Sequence, residues 1–196
     1  VGGAMIPVGV LCQNSFDLGQ FESFYGTNLS NSNRTYTAAG GGWERIWVDR
    51  PKSAGKWFFA VELVNIALYG YGGTNFAIGT SAAALAIGSG AYKPGAPCEL
   101  KATFIGAGKK WINSTISNFG AALTTGMIVG IGYDADTGDV MCYLYSGAWV
   151  MDGIITTITP GSLRRPIVDA NLQITGPSVF TLRSDLGTPA GFELWA

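Results

Sequence analysis

The stretch "GIGYDADTGDVMCYLY", residues 130–145, decides the fold because two strand-like segments meet there at a turn. Apolar, β-branched and aromatic residues fill "MIVGIGYD" before the turn and "DVMCYLYS" after it, and such residues favour strands. Between them, "DADTG" supplies Asp and Thr side chains that cap backbone groups, and Gly138 for a positive φ. The pattern predicts a β-hairpin whose aspartates are solvated turn residues.

A calcium loop and a pair of catalytic carboxylates are the alternatives for Asp134, Asp136 and Asp139. An EF-hand loop counted from Asp134 needs an oxygen ligand at position 5, Gly at position 6 and Glu at position 12. The sequence has Gly138, Asp139 and Tyr145 there. This mismatch excludes an EF-hand and leaves a looser surface calcium site as the weaker alternative to the hairpin.

The composition is typical of many short strands joined by tight turns. The 196 residues suit one domain, 47% of them are hydrophobic, and 29 are Gly. Only 13% are charged, about half the usual fraction. We therefore expect large contacts with other protein subunits or with copies of the chain itself.

The sequence lacks the residues that several classes of function require. The net charge is −1 and the short basic runs "GKK" and "RR" are too small for a nucleic-acid partner. The segment "VGGAMIPVGVLC" has no basic residue and contains Pro7, so we expect neither a signal peptide nor membrane insertion. Histidine is absent, and Cys12, Cys98 and Cys142 form no CxxC pair, so we expect no metal and no cofactor. We expect Cys142 to be a small core residue.

Along the chain, residues 1–14 form an apolar arm that we expect to lie on a neighbour, and residues 15–196 form one sandwich domain. In "WERIWVD", Trp43 and Trp47 alternate with Ile46 and Val48, and Trp57 lies in the strand-like "KWFFAVELVNIAL". The three tryptophans are expected to pack in the core or in an interface, and to mark a subunit contact if Trp43 and Trp47 face outward. Regularly spaced short strands without helical periodicity predict an all-β, two-sheet antiparallel β-sandwich.

The order of these segments resembles the SPRY domain. "SAGKWFFAVELV" (53–64) resembles its signature strand, with Gly55, Trp57, Phe58 and Glu62 at the matching places. "NFAIGTS" (75–81), "GMIVGIGYDADTGDVMCYLYSGAW" (126–149), "RPIVDANL" (165–172), "SVFTLRSDL" and "TPAGF" resemble later motifs of that family in the same order. Two places depart from it: Ser146 replaces Asn before Gly147, and residues 183–185 replace Asn-Phe-Gly. The first leaves the turn type open and the second the packing of the last strand.

The resemblance implies a bent concanavalin A-like jelly roll of two antiparallel sheets, with binding loops at one end and no catalytic centre. The Gly-rich, lysine-poor character of the chain is similar to that of SPRY-like segments in bacteriophage particle proteins, such as tail fibres and capsid decorations.

The residues themselves favour a chain that is not an enzyme. Without histidine, the usual general base is missing. A glycosidase needs two acids that face each other across a cleft. Glu62 is the one acid inside a central strand pattern, where a framework role is expected, and Glu44, Asp49, Asp134 and Asp136 lie in or near turns. We expect no catalytic residue.

Loop aromatic and amide side chains are the candidate binding residues, because loops on a rigid sandwich carry recognition and Tyr and Trp supply most contact energy. Partial burial against a sheet edge is the alternative role for each aromatic. The resemblance adds Asn171 and Gln173. The predicted partner-binding residues are Tyr69, Tyr71, Thr74, Asn75, Tyr92, Trp149, Asn171 and Gln173.

Three functions fit this sequence. The favoured one is a virion structural module, a capsid decoration or tail-fibre protein that docks as a homo-oligomer on viral capsid or tail proteins or on a host-surface ligand. It would be assembled in the host cytoplasm. The first alternative is a cytoplasmic adaptor that binds a short peptide of a partner protein. The second is a carbohydrate-binding, lectin-like domain.

Overall fold

The computed structural model describes residues 21–23, 29–32, 34–38, 43–48, 50–66, 76–82, 98–104, 107–113, 115–171 and 177–195. All regular secondary structure within these ranges is β-strand. The strands are β1 (Phe21–Ser23), β2 (Leu29–Ser30), β3 (Thr35–Ala38), β4 (Trp43–Val48), β5 (Lys56–Asn65), β6 (Phe76–Ala82), β7 (Cys98–Phe104), β8 (Ala107–Ile112), β9 (Thr115–Asn118), β10 (Ile128–Asp134), β11 (Asp139–Tyr145), β12 (Trp149–Thr157), β13 (Arg164–Asn171), β14 (Ser178–Leu182) and β15 (Glu193–Leu194). The predicted all-β class is confirmed.

The strands form two sheets. The first, sheet A, has the order β1-β4-β13-β6-β7-β8-β9, and the second, sheet B, has the order β12-β11-β10-β5-β14-β3-β2. Neighbours along both orders are antiparallel, as predicted. β15 is the exception, because it pairs parallel with β5 at Trp57 and Phe58. The last strand therefore returns to the signature strand and continues the side of β5 that β14 occupies further along.

The hairpin predicted from residues 130–145 is present as β10 and β11, which pair from Val129↔Leu144 to Asp134↔Asp139. Gly138 has φ +82°, and a Cβ there would lie 1.9 Å from the carbonyl oxygen of Ile158. Both the backbone conformation and the close approach therefore require glycine. Asp134 accepts hydrogen bonds from the amides of Asp136 and Thr137, so it caps the turn as predicted.

The main core lies between the sheets. In β5, Phe59, Val61 and Leu63 point into it, whereas Phe58 and Ala60 belong to a separate cluster on the outer face of sheet B. Cys142 is fully buried in the main core, as predicted, and burial raises its pKa to about 12. A thiol with such a pKa stays protonated near neutral pH and is a weak nucleophile.

The tryptophans follow the predicted alternation in part. Ile46 and Val48 join the main core, and Trp47 points to the opposite face of sheet A. Trp47 is 8% exposed and packs with Leu100 and Ile167, so it offers no open subunit contact. Trp57 is half-buried against the main core, and the side chain of Trp43 lies outside the described residues.

Two predictions about residues 146–158 need correction. Trp149 is the first residue of β12 rather than a loop residue, since the bend ends at Ala148. The separately predicted strand "IITTIT" is the second half of this same β12. Gly153, which suggested a break, lies inside the strand at φ +144° and follows a register shift between Cys142 and Tyr143 of β11. The sequence pattern indicated a turn at Gly153, and the structure has a β-bulge there instead.

Candidate functional site

Most of the predicted binding residues lie outside the described residues. These are Tyr69, Tyr71, Thr74, Asn75, Tyr92 and Gln173; Asn171 closes β13, with its side chain also outside the description. The same holds for the apolar arm of residues 1–14. Of the eight candidates, Trp149 alone has a described environment, and that environment belongs to the outer face of sheet B.

Trp149 packs edge-on against two rings of this face. Its ring centroid lies 4.7 Å from that of Phe58 and 5.0 Å from that of Tyr145. The indole Nε1 donates a hydrogen bond of 3.1 Å to the carbonyl oxygen of Gly187. The side chain is half-buried, so the partial burial considered as its alternative role is what the structure shows, while one part of the ring remains accessible.

An aromatic cluster fills the centre of the outer face of sheet B. Phe58 packs edge-on against Tyr143 at 5.6 Å and against Phe192 at 6.2 Å between centroids. The cluster fits because β10 carries glycine below it: a Cβ at Gly130 would lie 2.1 Å from Cζ of Phe58. Glycine in a strand interior often marks such a close approach.

The segment between β14 and β15 folds over this cluster. Phe192 contributes its ring, and the Thr188 hydroxyl donates a 2.7 Å hydrogen bond to the carbonyl oxygen of Phe192. Because the segment also accepts the indole hydrogen bond at Gly187, it is fixed to β12. The "TPAGF" stretch thus covers the middle of the face and leaves the β11–β12 side open.

The open side is apolar. Tyr145 and Met141 are half-buried on β11, and Met151 and Ile154 on β12 are 53% and 46% exposed. Met151 pairs with Tyr143 and Ile154 pairs with Met141, so these side chains share one face. Trp149 completes this surface, which we call the apolar docking face: Met141, Tyr145, Trp149, Met151 and Ile154. Aromatic residues and Met are enriched in protein interfaces.

A charged group lies further along sheet B, where β14 pairs with β5. Arg183 donates two hydrogen bonds of 2.8 Å to the carboxylate of Asp185 and one of 2.7 Å to Glu62. The hydrogen bonds from Arg183 lower the pKa of Asp185 to about 2, and those to Asp185 and Glu62 raise the pKa of the arginine. Glu62 is therefore a framework residue, as predicted, and the departure at residues 183–185 forms an ion-pair bridge between β14 and β5.

A small apolar recess opens beside this bridge, where β14 leaves β5 and β15 joins it. Leu182, Leu194 and Trp195 line it, with Arg183 and Ser184 at the rim. Arg34 donates a 3.0 Å hydrogen bond to the Ser184 hydroxyl. The rim groups thus already have partners within the chain.

Other charged groups lie between the two sheets. Lys101 is fully buried, and its Nζ lies 2.9 Å from Oδ2 of Asp152 and 2.7 Å from the carbonyl oxygen of Phe119. Glu99 is 1% exposed, lies 3.1 Å from Arg164 and accepts a hydrogen bond from Thr80. Burial raises the pKa of Glu99, and the nearby Arg164 opposes that shift. Sequence patterning gave no indication of these pairs.

The aspartates of the hairpin are engaged too. Lys56 lies 2.8 Å from Asp134. Burial opposes ionisation of Asp134, but hydrogen bonds from Lys56 and from the amides of Thr137 and Asp136 outweigh it and lower the pKa. Asp139 accepts hydrogen bonds from the hydroxyls of Thr137 and Thr157. These contacts support a turn function for the carboxylates, but Asp134 is 6% exposed and is therefore not the solvated residue that the sequence predicts.

The described ranges contain no group of three or more His, Cys, Asp or Glu residues placed to hold a metal ion. They also contain no helix of sufficient length and hydropathy to cross a membrane. Cys98 and Cys142 are both buried.

No protein-family model matches the sequence, and no curated protein matches it. Solved structures do match by fold. The SPRY domain of human HERC1 has a TM-score of 0.58 and 11% identity over 76% of this chain and 87% of that one. The TRIM65 PSpry domain has a TM-score of 0.64 and 12% identity over 93% of this chain and 100% of that one. A stonustoxin structure has a TM-score of 0.59 and 12% identity over 84% of this chain and 27% of that one. The chain has the fold of SPRY domains.

Proposed function

We propose that the chain is a non-enzymatic protein-docking module that binds its partner through the apolar docking face. The observation that carries this proposal is the exposure of Met151 and Ile154 beside the half-buried Tyr145 and Trp149 on one rigid sheet. Contiguous exposed apolar patches often mark protein interaction sites. The likeness to SPRY structures supports the proposal at the level of fold.

The preferred setting is a virus particle, in which the chain would be a capsid decoration or a tail-fibre protein that docks on other virion proteins, on copies of itself or on a host surface. The low charged fraction, the high glycine content and the apolar sequence of residues 1–14 support this setting. The Gly-rich, lysine-poor character of the sequence adds support by analogy with SPRY-like segments of bacteriophage particle proteins.

A cytoplasmic adaptor that grips a short peptide is the second candidate. It would use the same face, since Tyr and Trp supply most of the contact energy at interfaces. The virion component and the adaptor differ in solution behaviour. A virion component is expected to associate with copies of itself, whereas an adaptor is expected to stay monomeric. The carbohydrate-binding alternative would depend mainly on the loops outside the described residues.

The docking proposal is tested by selecting peptides from a displayed library against the purified chain and measuring their affinity for variants. Tyr145→Ala removes an interface aromatic, and we expect binding to weaken at least about tenfold. Ile116→Ala on β9, which is exposed on sheet A, is the matched control and should bind like the parent chain. Circular dichroism and thermal unfolding confirm that both variants fold.

Peptides that bind Tyr145→Ala and the parent equally would overturn the assignment of the face. Failure to select any peptide, together with specific binding on a glycan array, would replace the docking proposal by the lectin-like one.

A further inference from the structure

β12 carries a ridge of exposed apolar side chains at the end of sheet B. Val150 is 57% exposed, Met151 53% and Ile154 46%. Among the described strands, β12 pairs only with β11, so its other edge has no strand beside it. We call Val150, Met151 and Ile154 the β12 ridge. It overlaps the apolar docking face at Met151 and Ile154 and extends beyond it.

The ridge occupies both faces of the edge strand. Met151 pairs with Tyr143, whose ring is on the outer face of sheet B. Val150 pairs with Leu144, whose side chain packs against the main core, so Val150 projects from the opposite face. A partner lying flat on the outer face would leave Val150 in water. A partner that contacts β12 along its free edge covers Val150, Met151 and Ile154 together.

The ridge presents no free charge. Asp152 is the one charged residue of β12, and its carboxylate is engaged by Lys101 and by the amide of Ala121. Two such ridges can therefore be brought together without like-charge repulsion and without removing an ionised group from water. Homodimer interfaces are also more apolar than transient ones.

We infer that a second copy of this chain covers the β12 ridge, with the two copies related by a two-fold axis. The inference rests on the proposed function, in which the chain associates with copies of itself. It adds the surface through which two copies meet. Each ridge then meets its own equivalent, as an isologous contact requires. The contact is made by side chains rather than by a continuous backbone ladder, because two register shifts and the inward Asp152 interrupt β12 as an edge. A ridge of three residues predicts weak, concentration-dependent association.

The test is sedimentation velocity and light scattering of the full chain from micromolar to millimolar concentration. We expect a reversible dimer. Met151→Lys and Ile154→Lys should each weaken it at least about tenfold, because a lysine would be buried without a partner. Ile116→Lys and Leu163→Lys are matched controls at 44% and 48% exposure on other parts of the chain, and they should dimerise like the parent.

A second measurement locates the contact without relying on substitution. In a sample labelled with ¹³C at the methionine methyl groups, the Met151 resonance should shift with protein concentration, whereas that of the half-buried Met127 should not. A monomer at every concentration would overturn the inference, and so would a dimer that the control variants abolish and the ridge variants retain. Neither result affects peptide binding that depends on Tyr145, so failure of this inference is distinct from failure of the docking proposal.

Discussion

The interior between β7 and β12 and the outer face of β11 and β12 contrast sharply in chemistry. Inside, the fully buried Lys101 forms an ion pair with Asp152, whose side chain is 10% exposed. Outside, Met151 and Ile154 lie exposed on the same β12 strand. One edge strand thus directs its charged residue inward and two of its apolar side chains outward, the reverse of the usual arrangement.

The contrast separates two tasks. A buried ion pair is weak evidence of net stabilisation, but removal of one partner leaves an uncompensated charge and is strongly destabilising. The Lys101–Asp152 pair joins sheet A to sheet B, and we expect it to fix how the two sheets meet. Exposed apolar residues contribute little to folding, and the proposed docking function would account for their presence on β12.

The largest effect is expected from Lys101→Ala. It leaves Asp152 and the carbonyl oxygen of Phe119 without their buried cation, and we expect the free energy of unfolding to fall by about 3–5 kcal/mol. Urea unfolding at neutral pH measures it. The double variant Lys101→Met/Asp152→Leu should lose less than the sum of the single variants. A loss below about 1 kcal/mol for Lys101→Ala would show that the pair does not hold the sheets together.

The next effect concerns the glycine beneath the aromatic cluster. Gly130→Ala places a Cβ 2.1 Å from Cζ of Phe58, and we expect a loss of about 1–3 kcal/mol in unfolding free energy from overpacking. Gly132→Ala is the graded comparison, because its Cβ would lie 3.0 Å from Phe192 at the nearest. Gly130→Ala should therefore lose more unfolding free energy than Gly132→Ala. Equal stability of both would contradict the packing described for this face.

A smaller effect is expected at the outer ion pair. Asp185→Asn weakens a pair whose aspartate is 62% exposed, and such pairs contribute about 0–1 kcal/mol. Asp152→Asn, which leaves Lys101 buried without its carboxylate, should cost several times more. Parallel unfolding curves for the two Asp→Asn variants measure the difference. Similar losses would remove the distinction between interior and outer charges.

The smallest effect is a pH dependence. Hydrogen bonds from Arg183 lower the pKa of Asp185 to about 2 from its ordinary value of 3.8. Because the folded-state pKa is below the unfolded one, this contribution to stability is present above the unfolded pKa and is lost as pH falls through about 2. In Arg183→Gln, the pKa of Asp185 should rise towards 3.8, as followed by NMR titration of the carboxyl carbon. An unchanged pKa would assign the shift to another cause.

Much of the fold could be predicted from the sequence because local patterns and turn chemistry agree there. The β10–β11 hairpin combines strand-forming residues with a glycine at the one turn position that requires it. In β4, the alternation of Trp47 with Ile46 and Val48 predicts opposite faces for these side chains, and the structure has them so. The parallel pairing of β15 could not be predicted, since two residues carry no periodicity.

The charged interior shows where such prediction ends. In β7, Glu99 and Lys101 alternate with Leu100, a pattern that places the charged residues in water when one face of a sheet is solvated. Here both faces of β7 are covered, and the partners Arg164 and Asp152 come from distant segments. Pairing across 51 or more residues of sequence leaves no local signal.

The site was predicted less completely than the fold. Trp149 is a predicted binding residue that lies on the proposed docking face, and its role stays a prediction. Met151 and Ile154 were not predicted, since exposed and buried apolar residues look alike in a sequence. The bridge of Arg183 to Glu62 was also missed, because it joins residues separated by 121 positions.

The most direct test of the docking account is NMR mapping of a selected peptide on the ¹⁵N- and methyl-labelled chain. We predict that shift changes concentrate on β11 and β12 around Tyr145, Trp149 and Met151, with β6–β8 of sheet A unchanged. Changes confined to β6–β8, with the outer face of sheet B unaffected, would contradict the assignment of the apolar docking face.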